Sequence, residues 1–182
     1  ALYNQWRVVF QTGRFYRGRT FGEGAHESAL SQSVGNQMEW TCVSEDQTRA
    51  VGMLMQKLVV PNTQYHSYQA KGLKPDARYH FYNRSLKYNI KDFGDLVNTV
   101  SPVHIRQDSL ALDLIARFKK MDGEIEDCHA AGDMLMYHGV KLKQAFGGTG
   151  YNNEVRYFQD FAARMYFMEE EKGHADSGEA EK

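Results

Sequence analysis

Cysteine is scarce in this chain. Cys42 and Cys128 are the only two in 182 residues, they form no metal-binding spacing, and a chain of this length needs no disulfide staple. Both read as free thiols in a reducing compartment, so the expected location is the cytoplasm. Charge of one sign is missing as well. The formal net charge is −1, which gives no electrostatic reason to expect nucleic acid or an anionic membrane as partner. No stretch approaches the roughly 18 unbroken apolar residues needed to span a bilayer, and no basic-then-apolar leader opens the sequence. Nucleophile elbow, phosphate loop, zinc ligand set and dinucleotide fingerprint are all absent.

What is present fits one globular domain with a real core: 42% hydrophobic and 25% charged residues. Aromatics stand out, with 11 Tyr, 10 Phe and 2 Trp. Such residues build β cores, but Tyr and Trp also line sugar-binding surfaces, so both uses stay open.

The organising stretch is Met38 to Val60. Two apolar runs flank the polar Ser44-Glu45-Asp46-Gln47-Thr48, the pattern of a hairpin. In the first arm Met38, Trp40 and Cys42 share one phase, with Glu39 and Thr41 opposite. The second arm is apolar on both phases (Val51, Met53 and Met55; Ala50, Leu54 and Leu58), which predicts a central strand covered on both faces. Before it, Leu2, Trp6, Val9 and Phe10 recur at helical spacing, Gly13 to Arg17 reads as a strand, and Gly18 to Gln37 as a long loop. After it, Pro61-Asn62-Thr63 makes a turn, Gln64 to Ala70 a strand, Lys71 to Asp76 a turn and Ala77 to Asn83 a strand. The period then changes. Asp108 to Lys120 places Leu110, Leu114, Ile115 and Phe118 on one helical face, with Asp108 or Ser109 as cap. Glu124 to His138 reads as a shorter helix or turn, Val140 to Phe146 as a strand, and Val155 to Phe167 as a half-buried antiparallel strand. Beyond Met168 the residues are polar and small, and 169–182 is expected to be a disordered tail.

Few residues invite chemistry. Gly147-Gly148-Thr149-Gly150 lacks the lysine and helix of a phosphate cradle and is better read as a turn. Asp127, Cys128, His129, Asp133 and His138 are metal-ligand types, yet no pair falls on one helical face. Glu124, Glu126 and Asp127 could supply the two carboxylates of a glycosidase, but a charge run is more often a solvated helix face. Trp40 shares its phase with Met38 and Cys42, which favours a core role over a sugar platform. Tyr65, Tyr68, Tyr79 and Tyr82 could form an aromatic patch, with core and rim packing the plainer account.

A resemblance joins these pieces. Phe10-Gln11-Thr12-Gly13-Arg14-Phe15-Tyr16-Arg17, Trp40-Thr41-Cys42-Val43-Ser44-Glu45-Asp46, Ala50-Val51-Gly52, Pro61-Asn62, Lys71-Gly72-Leu73-Lys74-Pro75-Asp76-Ala77-Arg78-Tyr79 and Gly132-Asp133-Met134-Leu135-Met136 with Gly139 follow in an order that resembles glycoside hydrolase family 36. The similarity is to the region after the catalytic barrel in its α-galactosidases, especially those of lactic-acid bacteria acting on melibiose and raffinose. The loop Gly18 to Gln37 is longer and less proline-rich than is usual there, and the insert Leu86 to His129 is absent from shorter members.

The resemblance implies a mainly β fold, an antiparallel β-sandwich of Greek-key type with about eight strands, a helical insert near 92–138 and an N-terminal helix remnant. Residues 1–10 would be the last helix of a catalytic barrel, 11–168 the C-terminal β-sandwich and 169–182 the tail. Both catalytic aspartates belong to the barrel and have no counterpart here, so no catalytic, cofactor-binding or metal residue is expected. The implied role is a non-catalytic accessory domain of a retaining α-galactosidase. A carbohydrate-binding module and an oligomerisation domain of the same enzyme are the alternatives. The implied partners are the enzyme's own barrel, further copies of the enzyme, and small α-galactosides bound by the whole.

Overall fold

The computed structural model describes residues 1–20, 35–58, 67–106, 108–143 and 160–171. The helical spacing near the start becomes α1 (Leu2–Thr12), which passes through Gly13 directly into β1 (Arg14–Arg17). The organising hairpin is β2 (Gln37–Val43) and β3 (Arg49–Gln56). Its turn is fastened by Asp46, whose carboxylate accepts hydrogen bonds from Ser44 Oγ (2.6 Å), Thr48 N (3.1 Å) and Thr48 Oγ1 (2.9 Å). Those bonds favour the ionised form and hold the Asp46 carboxyl down to about 2. Short β4 (Ser67–Tyr68) and then β5 (Arg78–Asn83) follow.

Next comes the insert. The hairpin strands β6 (Lys87–Asn89) and β7 (Lys120–Asp122) bracket a 3-10 segment (Ile90–Leu96), α2 (Val97–Val100) and α3 (Leu110–Phe118). Ser109 caps α3, its Oγ accepting from Leu112 N at 3.2 Å. The chain returns through β8 (Asp127–Ala131), a π-helical turn (Met134–His138), β9 (Val140–Lys141) and β10 (Ala163–Glu170).

Six strands form one antiparallel sheet in the order β1-β2-β3-β10-β5-β8. The predicted central strand β3 is flanked by β2 and β10, and β10 in turn separates β3 from β5. Both faces are covered. On one, Val43, Ala50, Leu54, Tyr79, Phe81, Tyr166 and Met168 pack against Tyr68, Leu135 and Leu142 from the small β4–β9 sheet and its connections. On the other, α1 lays Trp6 and Val9 onto Cys42, Val51 and Phe167. Trp6 packs on the Phe167 ring (4.8 Å between centroids) and takes the Arg49 guanidinium over its ring (4.0 Å). Gly52 is required in β3 because the Tyr68 hydroxyl crosses above it; a Cβ there would sit 2.1 Å from that oxygen.

The mainly β, antiparallel expectation holds. Several particulars differ. The described residues contain ten strands, six in one sheet and two in each of two small ones. Helix α3 ends at Phe118, and the stretch Glu124 to His138, read as helix or turn, divides: Met134–His138 is a π-helical turn, whereas Asp127–Ala131 is edge strand β8. Among the described residues that strand pairs with β5 alone; it turns Cys128 and Ala130 toward the core and Asp127 and His129 outward. In α3 the buried residues are Leu112 and Ala116, packed on Ile90, whereas Leu110 is 86% and Phe118 79% exposed. In β2 both phases are covered: Glu39 and Thr41 are buried on the polar one, and on the other Cys42 is buried while Trp40 is half-buried against Phe15. Strand β10 starts at Ala163, after a turn at Asp160 and Phe161, and continues through Glu169 and Glu170, where the tail was expected to begin. The turn Pro61-Asn62-Thr63, Tyr65, the Gly147 to Gly150 turn, most of the Gly18 to Gln37 loop and residues 172–182 lie outside the described residues.

Candidate functional site

The tyrosines nominated as a sugar platform are mostly structural. Tyr68 is fully buried, and its hydroxyl lies 2.6 Å from Thr41 Oγ1 and 3.1 Å from the Trp40 carbonyl. Tyr79 is equally buried, donating to the Gln47 carbonyl (2.7 Å) and accepting from Lys74 N (3.1 Å). Burial pushes both phenols above their ordinary range. Tyr82 is half-buried with its hydroxyl on Glu169 Oε1 at 2.5 Å. A ring that stacks on a sugar must offer a face to solvent, and Tyr68 and Tyr79 offer none. Trp40 spends one face on Phe15, 5.2 Å between centroids.

The acids are committed too. Glu124 and Arg164 form a buried ion pair, their side chains 6% and 7% exposed, with Tyr88 bonded to both. Glu126 is buried and accepts from Lys143 N at 2.5 Å. Glu39, which the sequence reading set on the phase opposite Trp40 without giving it a role, is buried and held by Arg19 at 2.8 Å. These are carboxylates fixed as structural acceptors. The two thiols are not activated either: burial pushes Cys42 and Cys128 up, away from the thiolate.

Of the five residues of metal-ligand type, the fold brings Asp127 and His129 together and adds His80 from β5. His80 on β5 stands directly opposite His129 on β8, with their rings stacked 4.6 Å apart at 10°. Asp127 Oδ1 lies 2.7 Å from His80 Nε2, and Glu171 reaches Nδ1 of His129. The cluster occupies the same sheet face as α1, on the strand pair β5–β8. Cys128 packs into the opposite face, Asp133 accepts from Met134 N at the start of the π turn, and His138 ends that turn. Only a strand assignment for Glu124 to His138 could have revealed the pairing.

A second surface feature is a groove of about 440 Å³ beside α3, lined by Leu110, Leu114, Ala116, Asn89, Lys91 and Arg117. The apolar stripe seen in the sequence therefore ends up facing outward.

Three comparisons bear on this architecture. Residues 37–168 match the family model of the glycosyl hydrolase family 36 C-terminal domain. A search of curated proteins finds no match. Among solved structures, the α-galactosidase from Lactobacillus brevis aligns over 95% of this chain and 16% of its own, at 22% identity and a TM-score of 0.54, a likeness of fold. The family 36 α-galactosidase AgaA from Geobacillus stearothermophilus aligns over 93% of this chain and 14% of its own, at 21% identity and a TM-score of 0.49. The chain thus spans about a sixth of the length of these enzymes. A family match running from β2 into β10 covers most of the chain, which belongs to the glycosyl hydrolase family 36 C-terminal domain family.

Proposed function

We propose that this chain is the accessory domain of a retaining α-galactosidase and braces the catalytic barrel without touching sugar itself. Hydrolysis with retention needs two carboxyl groups about 5–5.5 Å apart on either side of the scissile bond. The observation that supports a passive role is the engagement of Glu39, Glu124 and Glu126, each buried and each held by a cation or a backbone N–H. The reacting acids are assigned to the barrel of the parent enzyme, which would act on terminal α-galactosides of the melibiose and raffinose type. Helix α1 is the natural junction: Trp6 and Val9 seat it on the sheet, while Tyr3 and Val8 stay exposed for a neighbour. The free thiols Cys42 and Cys128 suit a cytoplasmic setting. The purified 182-residue chain should leave an α-galactoside intact; measurable release of galactose would overturn the reading.

A second reading, subunit contact through the insert, is favoured by the exposed Leu110, Leu114 and Phe118 on α3. Replacing Leu110 and Leu114 with Lys in the parent enzyme should then lower its mass in solution by sedimentation. An unchanged oligomer disposes of this reading and leaves the first intact.

A further inference from the structure

We propose that His80, His129 and Asp127, backed by Glu171, form a binding site for a late first-row divalent cation, zinc foremost. The site stands on this chain's own residues and does not depend on the proposed role. Register creates it: His80 and His129 are directly paired across β5 and β8, and Asp127, two residues before His129, shares its face. The ligating atoms of the three side chains all lie within 4.8 Å of one another. Bonds of about 2.0–2.2 Å to a tetrahedral ion set neighbouring ligand atoms roughly 3.4 Å apart, so binding asks the exposed Asp127 and His129 and the half-buried His80 to move by about an ångström on a fixed backbone.

The donor set selects the ion. Two imidazoles and a carboxylate suit zinc, copper and nickel, while calcium and magnesium prefer oxygen alone. Glu171 on Nδ1 of His129 is the carboxylate partner that, in histidine metal sites, fixes the ring and leaves its other nitrogen for the ion. The flanking charges are already engaged: Arg78 holds the second oxygen of Glu171 at 2.9 Å, and the Tyr82 hydroxyl holds Glu169. A bound ion would fasten β8, at the edge of the sheet among the described residues, to its neighbour β5.

The plainer account is two histidine–carboxylate pairs that bind nothing, and titration of the 182-residue chain with zinc alone separates the two. One equivalent should bind saturably and raise the thermal midpoint. His80→Ala and His129→Ala should each weaken binding by roughly tenfold or more, and Glu171→Gln by about ten- to a hundredfold. His138→Ala should change nothing. Copper loading gives a readout that does not depend on stability: electron paramagnetic resonance should show coupling to two imidazole nitrogens, reduced to one in His129→Ala. Absence of saturable binding at millimolar zinc, or binding undiminished in both histidine variants, overturns the proposal.

Discussion

The main sheet and the insert use apolar residues in opposite ways. In the sheet, Leu54, Phe81 and Phe167 are all buried, the first two under the layer that brings Tyr68 and Leu135 and the third under α1. In the insert, Leu112 and Ala116 are buried against Ile90, yet Leu110, Leu114 and Phe118 face outward. Periodicity therefore determines the element, while the supply of covering layers determines which side is hidden. The two regions are joined by the polar knot in which Arg164 of β10 meets Glu124 and Tyr88 of the insert.

The contrast is open to test. Phe167→Ala should cost about 3–5 kcal/mol, because it empties the space between Trp6 and the sheet, whereas Leu110→Ala should stay within about 0.5 kcal/mol of the parent chain. Equal losses in urea denaturation would erase the distinction between the regions. Arg164→Met leaves Glu124 as a buried charge without its cation and should also cost about 3–5 kcal/mol. Amide exchange sharpens that result: loss of protection should extend into β6 and β7 if the knot anchors the insert. The smallest effect belongs to the hairpin turn. Hydrogen bonds hold the folded Asp46 carboxyl at about 2, below its ordinary 3.8. Its contribution is therefore complete above the ordinary value and disappears as pH falls through about 2. Asp46→Asn should flatten the acid limb of a stability–pH curve between those values: it should lower stability slightly at neutral pH, the loss kept small because the turn is exposed, and the two curves should meet near pH 2.

Much of this was legible in the sequence. Alternation marked β2, the double-phase apolar run marked β3 and its central place, and Ser109 was one of two residues named as the cap of α3. What escaped has a common cause. Glu39 and Thr41 look like a solvent phase until Arg19 and the Tyr68 hydroxyl arrive from distant segments to pair with them. Strand β8 has only a weak apolar rhythm, since Cys128 and Ala130 are its small core-facing residues, and pairing with β5 is what makes it a strand. The His80–His129 pair is a product of register, which local pattern does not encode. The acids showed the reverse: Glu124 and Glu126 look like a solvated run, and the fold buries them both.

The position of β10 carries a consequence for assembly. Until Ala163–Glu170 slots between β3 and β5, the hairpin and the β5–β8 pair are two open-edged half-sheets with unfilled ladders. Native pairing must await the far end of the chain, so the rate of folding should be governed by one late, long-range insertion. A nascent chain stalled before Ala163 would present two sticky rims in place of a domain.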